Sequence, residues 1–159
     1  MKKYMEFFIE EILGNVIKVL GISLILTVLL QVLARSLHGS RFTWTEEAAR
    51  LLFLWFSFLS TSLALSKKVH LSIDFFYNKM NPTIKKISDY ICFFALAGFS
   101  FVITYHGFSL VKVVHMQKSP ILRLPMSYFY APVPVAGLLF TMYLLSSIID
   151  KIVFDLKQV

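Results

Sequence analysis

The side chains of this chain that can move a proton, hold a metal or attack a carbonyl are few, and their positions limit the chemistry open to it. All nine acids fall outside the apolar cores, with Glu46, Glu47, Asp74 and Asp89 near the ends of apolar runs. A carrier that couples to an ion by itself needs a carboxylate, or broken helices with free backbone groups, near the bilayer midplane. A small four-helix exporter working through a membrane-embedded Glu is therefore disfavoured. Of the four histidines, His106 lies well inside an apolar run, His115 nearer its end, and His38 and His70 in connecting segments. A b-type haem needs axial ligands facing each other at one depth, so a redox protein carrying haem through His106 is the weaker reading. A hydrolase needs a base beside its nucleophile. Ser57, Ser60 and Ser62 have no membrane histidine near them in sequence and read as helix-contact residues. There is no phosphate-binding glycine loop, zinc-ligand cluster or CxxC pair, and the single cysteine, Cys92, reads as a small buried hydrophobe.

What polar chemistry there is concentrates between Phe42 and Asp74. Thr43 with Glu46 three residues on fits a capping box, so a helix is expected to start there. Glu46 and Arg50 stand four apart with the acid first, the favourable order for a pair on one helix face. Sixteen uncharged residues follow, Leu51 to Ser66, before Lys67, Lys68 and His70. At about 1.5 Å per residue they reach roughly 24 Å, short of a hydrocarbon core of about 30 Å, so the helix must run past its charged ends. Glu46, Arg50, Ser57, Ser60, Thr61 and Ala64 recur on one face, as small and polar residues do where another helix approaches in lipid. Leu52, Trp55, Phe56, Leu59 and Leu63 lie mostly on the other, where Leu59→Ala is expected to matter little.

The elements that must carry these residues are membrane spans. The 159 residues are 57% hydrophobic and 16% charged, where a soluble domain would hold about a quarter charged residues. The apolar residues gather into runs long enough to cross a bilayer and lack the alternation of a membrane barrel. We expect an all-α integral membrane protein, residues 1–159 forming one membrane domain. Four transmembrane helices are expected at about 12–36, 47–67, 83–115 and 128–151, with short interfacial segments at about 3–11, 42–47 and 73–80. Glu6, Glu10 and Glu11 interrupt what would be the apolar core of a cleaved leader, so the first span is expected to stay. Gly14, Lys18 and Gly21 share a face that another helix can approach. Asn81-Pro82 is a start signal for the third helix. Pro132 and Pro134 either open the fourth helix or kink it.

Four spans put both termini on one side. With Lys18 and Lys112 set aside as lying within helices, that side holds nine Lys and Arg at or beyond the helix ends against five on the other, which favours N and C termini in the cytoplasm. The net charge of +7 sits at helix ends, which suits phospholipid headgroups rather than nucleic acid. Four spans without an intramembrane charge pathway point to a small membrane subunit packed on a larger partner.

The run Trp44-Thr-Glu-Glu-Ala-Ala-Arg50, then Trp55, then His70 and Asp74, resembles the small membrane subunit of TRAP (tripartite ATP-independent periplasmic) transporters, the DctQ family. Ser119-Pro120-x-Leu122 with Pro125, and Tyr130-x-Pro132, add to the likeness, which extends over nearly the whole chain. The family usually has a glycine in the second span after the Trp, where Ser60 stands here. The resemblance implies a stationary, non-catalytic scaffold that pairs with and anchors a large elevator-type membrane subunit. That large subunit would hold the sodium and substrate sites, so no cofactor is expected in this chain. A periplasmic binding protein would deliver a carboxylate such as sialic acid or a C4-dicarboxylate. On this reading Trp44, Glu46, Glu47, Arg50, Ser57, Thr61, His70 and Asp74 meet the partner or lipid headgroups, and Ser119, Pro120 and Arg123 lie in a periplasmic loop near the docking surface. The bland readings stand beside it: a solvated knot at Glu46, Glu47 and Arg50, a loop-fixing role for His70 and Asp74, and belt or lipid-facing positions for Trp44 and Trp55. A self-sufficient homo-oligomeric carrier is the other alternative to a transporter subunit, beside the haem protein.

Overall fold

The computed structural model describes residues 2–38, 42–66 and 81–157. Four long helices and one short one account for most of them: α1 (Lys2–His38), α2 (Thr43–Ser66), α3 (Pro82–Val114), α4 (Ser127–Tyr130) and α5 (Pro132–Lys157). No strand occurs among the described residues, and Lys118 and Pro125 form an isolated antiparallel bridge. Four segments are long and apolar enough to cross a membrane: Glu10–Ser36, Thr43–Ser66, Tyr90–Val114 and Ser127–Ser146. Large apolar side chains face outward along them, among them Leu26, Phe94 and Phe101. In water such a surface would drive aggregation; in a bilayer it meets lipid or protein.

The long helices pack in a row. The main contacts join α1 to α2, α2 to α5 and α5 to α3, with α4 wedged among α2, α3 and α5. Small residues make the close approaches possible. A Cβ on Gly21 would stand 3.0 Å from the Phe56 ring, and one on Gly14 3.9 Å from Leu63, so the glycine face of α1 is the face that receives α2. Between α3 and α5 the Ser100 hydroxyl donates to the Gly137 carbonyl at 3.0 Å and lies 2.8 Å from the Thr141 hydroxyl. A Cβ on Gly107 would be 3.0 Å from the backbone N of Pro134. Burying Leu against Leu gains little in lipid, so the crossing depends on backbone proximity and hydroxyl bonds.

Several details differ from the sequence expectation. The segment 3–11 is not one of them: it is helical and runs straight into the first span as the start of α1, because no Gly or Pro interrupts it before Gly14 and extending a helix is easier than nucleating one. As the short uncharged stretch required, α2 runs unbroken from Thr43, seven residues before Arg50, which supplies the missing span length. Thr43 is thus inside the helix rather than capping it. The Thr45 amide and hydroxyl instead both reach the Phe42 carbonyl, at 3.0 and 2.6 Å. Asn81 takes the extended N-cap conformation before Pro82, but its side chain makes no capping bond. The segment 73–80 lies outside the described residues.

Within this chain α2 packs through the side that carries Leu59. Its buried residues are Thr45, Glu47, Leu59 and Ser62, while Glu46, Arg50, Thr61 and Ala64 are exposed. The reason is the position of α2 inside the row, with α1 and α5 both drawing on its apolar side chains. Leu59 is 5% exposed, so Leu59→Ala opens a cavity between helices. We expect a loss of about 2 kcal/mol, read as a lower melting temperature of the purified protein, where the sequence predicted little.

Candidate functional site

The polar side chains converge at the end of the row where α1 finishes and α2 begins. After α3, the segment Gln117–Met126 folds back on itself. The Ser119 amide donates to the Leu124 carbonyl and the Met126 amide to the Gln117 carbonyl, both at 2.8 Å. Arg123 takes a left-handed backbone (φ 54), which turns the chain at the tip. The amides of Ile121 and Leu122 are left without backbone partners in this turn, and the carboxylate of Glu47 accepts both. Oε1 is 3.1 Å from the Ile121 N and Oε2 2.8 Å from the Leu122 N. An ionised carboxylate is well matched to two parallel amide donors, and bonds to a charged group are the stronger kind. Glu47 is buried and ties the first turn of α2 to a loop more than 70 residues away. Arg50 acts on it electrostatically.

A second tie follows from the prolines. In a continuous helix the amide of residue 132 would donate to the Tyr128 carbonyl, but Pro132 has no N–H. The Trp55 indole supplies the missing donor at 3.0 Å. Pro132 opens α5 at its first position, where a missing amide matters least, and the Ala131 and Val135 amides still reach the Ser127 and Ala131 carbonyls across the junction with α4. Trp55, half-buried, is therefore a structural bond donor. Replacing it by Phe keeps the ring and loses the bond. We expect about 1 kcal/mol of destabilisation, and less in a Pro132→Ala background, where the helix regains its own donor. Thermal unfolding of the four variants measures the cycle. Equal losses in both backgrounds would break the link to Pro132. A third tie joins His115 Nδ1 and the Ser127 hydroxyl, 3.1 Å apart.

The remaining candidates face outward. Trp44, Glu46, Arg50 and Thr61 are exposed and Ser57 is half-buried. No ion pair joins Glu46 to Arg50 among the described residues, although their spacing suggested one. The Thr61 hydroxyl is satisfied by the Ser57 carbonyl at 2.8 Å. Gln31, Arg35, Phe42 and Glu46 line a shallow cleft of about 160 Å³ between the end of α1 and the start of α2. In the loop Ser119 is buried, whereas Pro120 and Arg123 are exposed. His70 and Asp74 lie outside the described residues. Among the described residues no three His, Cys, Asp or Glu side chains gather as a metal site would require. His106 points away from the other helices, and His115 is engaged with Ser127. The arrangement braces an end of the bundle and presents a polar rim.

The sequence places Glu47 among the residues that meet the partner or lipid headgroups, with a solvated knot as the alternative, and gives no sign of its bonds to the Ile121 and Leu122 amides. The Trp55 bond was missed as well, although Pro132 was a usable signal, since a proline four residues after a carbonyl strips that carbonyl of its helical donor.

Residues 24–153 match the family model described as tripartite ATP-independent periplasmic transporters, DctQ component. Over 155 residues the chain is 28% identical to a Haemophilus influenzae protein described as a TRAP transporter small permease protein, with 97% of this chain and 96% of the other covered. It is 29% identical over 114 residues to the isethionate TRAP transporter permease protein DctMQ of Oleidesulfovibrio alaskensis, covering 69% of this chain and 18% of that one. Against the sialic acid TRAP transporter permease protein SiaT of Haemophilus influenzae the identity is 33% over 98 residues, covering 57% and 15%. The chain thus spans less than a fifth of those two relatives, and nearly all of the first.

Proposed function

Because this chain belongs to the DctQ family of TRAP transporter components and is a multi-pass protein of the bacterial inner membrane, we propose that it is the non-catalytic scaffold of a sodium-coupled importer. It pairs with a large membrane subunit that binds sodium and moves the substrate, and it carries no cofactor of its own. The observation that carries this reading is the family match to a chain whose acids all lie at or beyond the ends of its apolar segments. The much greater length of two relatives, both named as permease proteins, supports a large membrane component beside this fold. Their names support an organic acid anion as cargo, sialic acid being a carboxylate and isethionate a sulfonate.

On this reading both termini are cytoplasmic. The braced end, with exposed Trp44, Glu46, Arg50, Pro120 and Arg123, then faces the periplasm, where a substrate-binding protein docks and phospholipid headgroups lie. Arg50→Ala should lower both the large subunit retained on co-purification and the rate of uptake. Unchanged values would mean that this rim is only solvated.

The direct experiment is reconstitution. The chain, a co-expressed large subunit and the binding protein are placed in liposomes with an inward sodium gradient. Uptake of a labelled organic acid should require all three. Uptake by this chain alone, or failure of the two membrane proteins to co-purify, would overturn the proposal.

A further inference from the structure

Resting on that reading, we infer that the outward face of α3 bearing Tyr105, His106 and Ser109 is where the large membrane subunit packs. The inward side of α3 is marked by Ser100, Gly107 and Val114, buried at intervals of seven. Tyr105, His106, Ser109 and Lys112 are all exposed. Tyr105 stacks on Phe101 and its ring meets that of His106 edge-on, at 6.3 and 5.3 Å between centroids. The Tyr105 hydroxyl, the His106 ring nitrogens and the Ser109 hydroxyl make no hydrogen bond among the described residues.

Depth makes this significant. Lys112 is near the end of α3, and its long stem lets the ammonium reach the interface. His106 is six residues further in, about 9 Å deeper at the helical rise. No water is available there, and an unsatisfied polar group in hydrocarbon is costly. The same helix also leaves room for close approach: a Cβ on exposed Gly98 would meet nothing within 4 Å. The outward face of α1 has the opposite character, with Val19, Ile22, Leu26, Leu29 and Leu33 exposed in sequence, and suits lipid.

A second copy of this chain is the poorer occupant. A two-fold axis along the membrane normal would set Lys112 against Lys112 and His106 against His106. A helix of the large subunit that offers hydroxyl, amide or carboxylate groups at the depth of His106 satisfies the stripe instead.

The test uses membranes containing the full chain and the co-expressed large subunit. p-Benzoylphenylalanine replaces Phe101, on this face, or Leu29, on the lipid face. Irradiation should yield an adduct of the two subunits from position 101 and none from position 29. A self-adduct at 101, an adduct at 29 alone, or none at 101 would overturn the inference. In parallel, His106→Leu should lower the retained large subunit by about three- to tenfold, the range of one interhelical hydrogen bond, while His106→Gln retains it. The melting temperature of the isolated chain should change little and equally in the two variants, since both lose only the exposed edge contact with Tyr105 and His106 makes no internal hydrogen bond. Full retention with His106→Leu would also overturn the inference. If the unsubstituted chain does not retain the large subunit, the proposed function itself fails; if it does and these results are absent, only the docking face is wrong.

Discussion

Gly137→Val should leave α3 and α5 unable to close on each other, with the largest loss of stability of any change considered. A Cβ at this position meets the Thr104 hydroxyl and stands 3.0 Å from the backbone N and 3.1 Å from the Cα of Thr104. Backbone atoms cannot swing aside as the end of a side chain can, so the helices must separate. The Ser100 bond to the Gly137 carbonyl and the Ser100–Thr141 contact separate with them. Overpacking of this kind costs about 3 kcal/mol, and the lost bonds add to it. The expected result is a markedly lower melting temperature in detergent and a broad, aggregated elution profile. Gly137→Ala should already show part of the loss, because the same Cβ is present. Thr104→Ala should rescue only the part due to the hydroxyl. Gly98→Ala, with open space around its Cβ, is the control and should behave as the parent. A Gly137→Val protein of parental stability would mean that the α3–α5 crossing is wrongly placed.

Glu47→Ala should release the folded-back loop while leaving the helices in place. It strips the Ile121 and Leu122 amides of the acceptor that holds them, and nothing else in the turn replaces it. Amide hydrogen exchange across residues 117–126 should accelerate by roughly tenfold or more, while exchange in α3 and α5 stays slow. Glu47→Gln should fall between the two, because its single carbonyl oxygen can serve one amide well but not both in the same geometry. Should this clamp shape the rim where the binding protein docks, uptake will fall even though the two membrane subunits still co-purify. Unchanged exchange in Glu47→Ala would show that the turn holds without the carboxylate.

The two predictions differ in how much of them was readable beforehand. Gly14 and Gly21 were recognisable as an approach face because a small residue in a span has few other uses, and α2 does pack there. Gly137 gave no comparable signal, since the identity of the residue opposite it depends on which helix α5 crosses. Glu47 was legible as part of a charged group near a helix start. Its partners were not, because two backbone amides have no side-chain identity that a sequence displays.

Class, number of spans and family are all legible in the order of residues along the chain. Hydropathy, charge placement and start signals such as Asn81-Pro82 are local properties, fixed by a residue and its near neighbours. Tertiary structure alone decided the order of helices in the row, and with it which side of α2 is inner. Because α2 sits between α1 and α5, Leu59 becomes an inner residue and the side bearing Glu46, Arg50 and Thr61 is left outward. It also decided the ties at the braced end, Glu47 to Ile121 and Leu122 and Trp55 to Tyr128. These join residues 73 to 75 positions apart. Periodicity and local spacing carry no information at that range, so only the packed chain could bring the partners together.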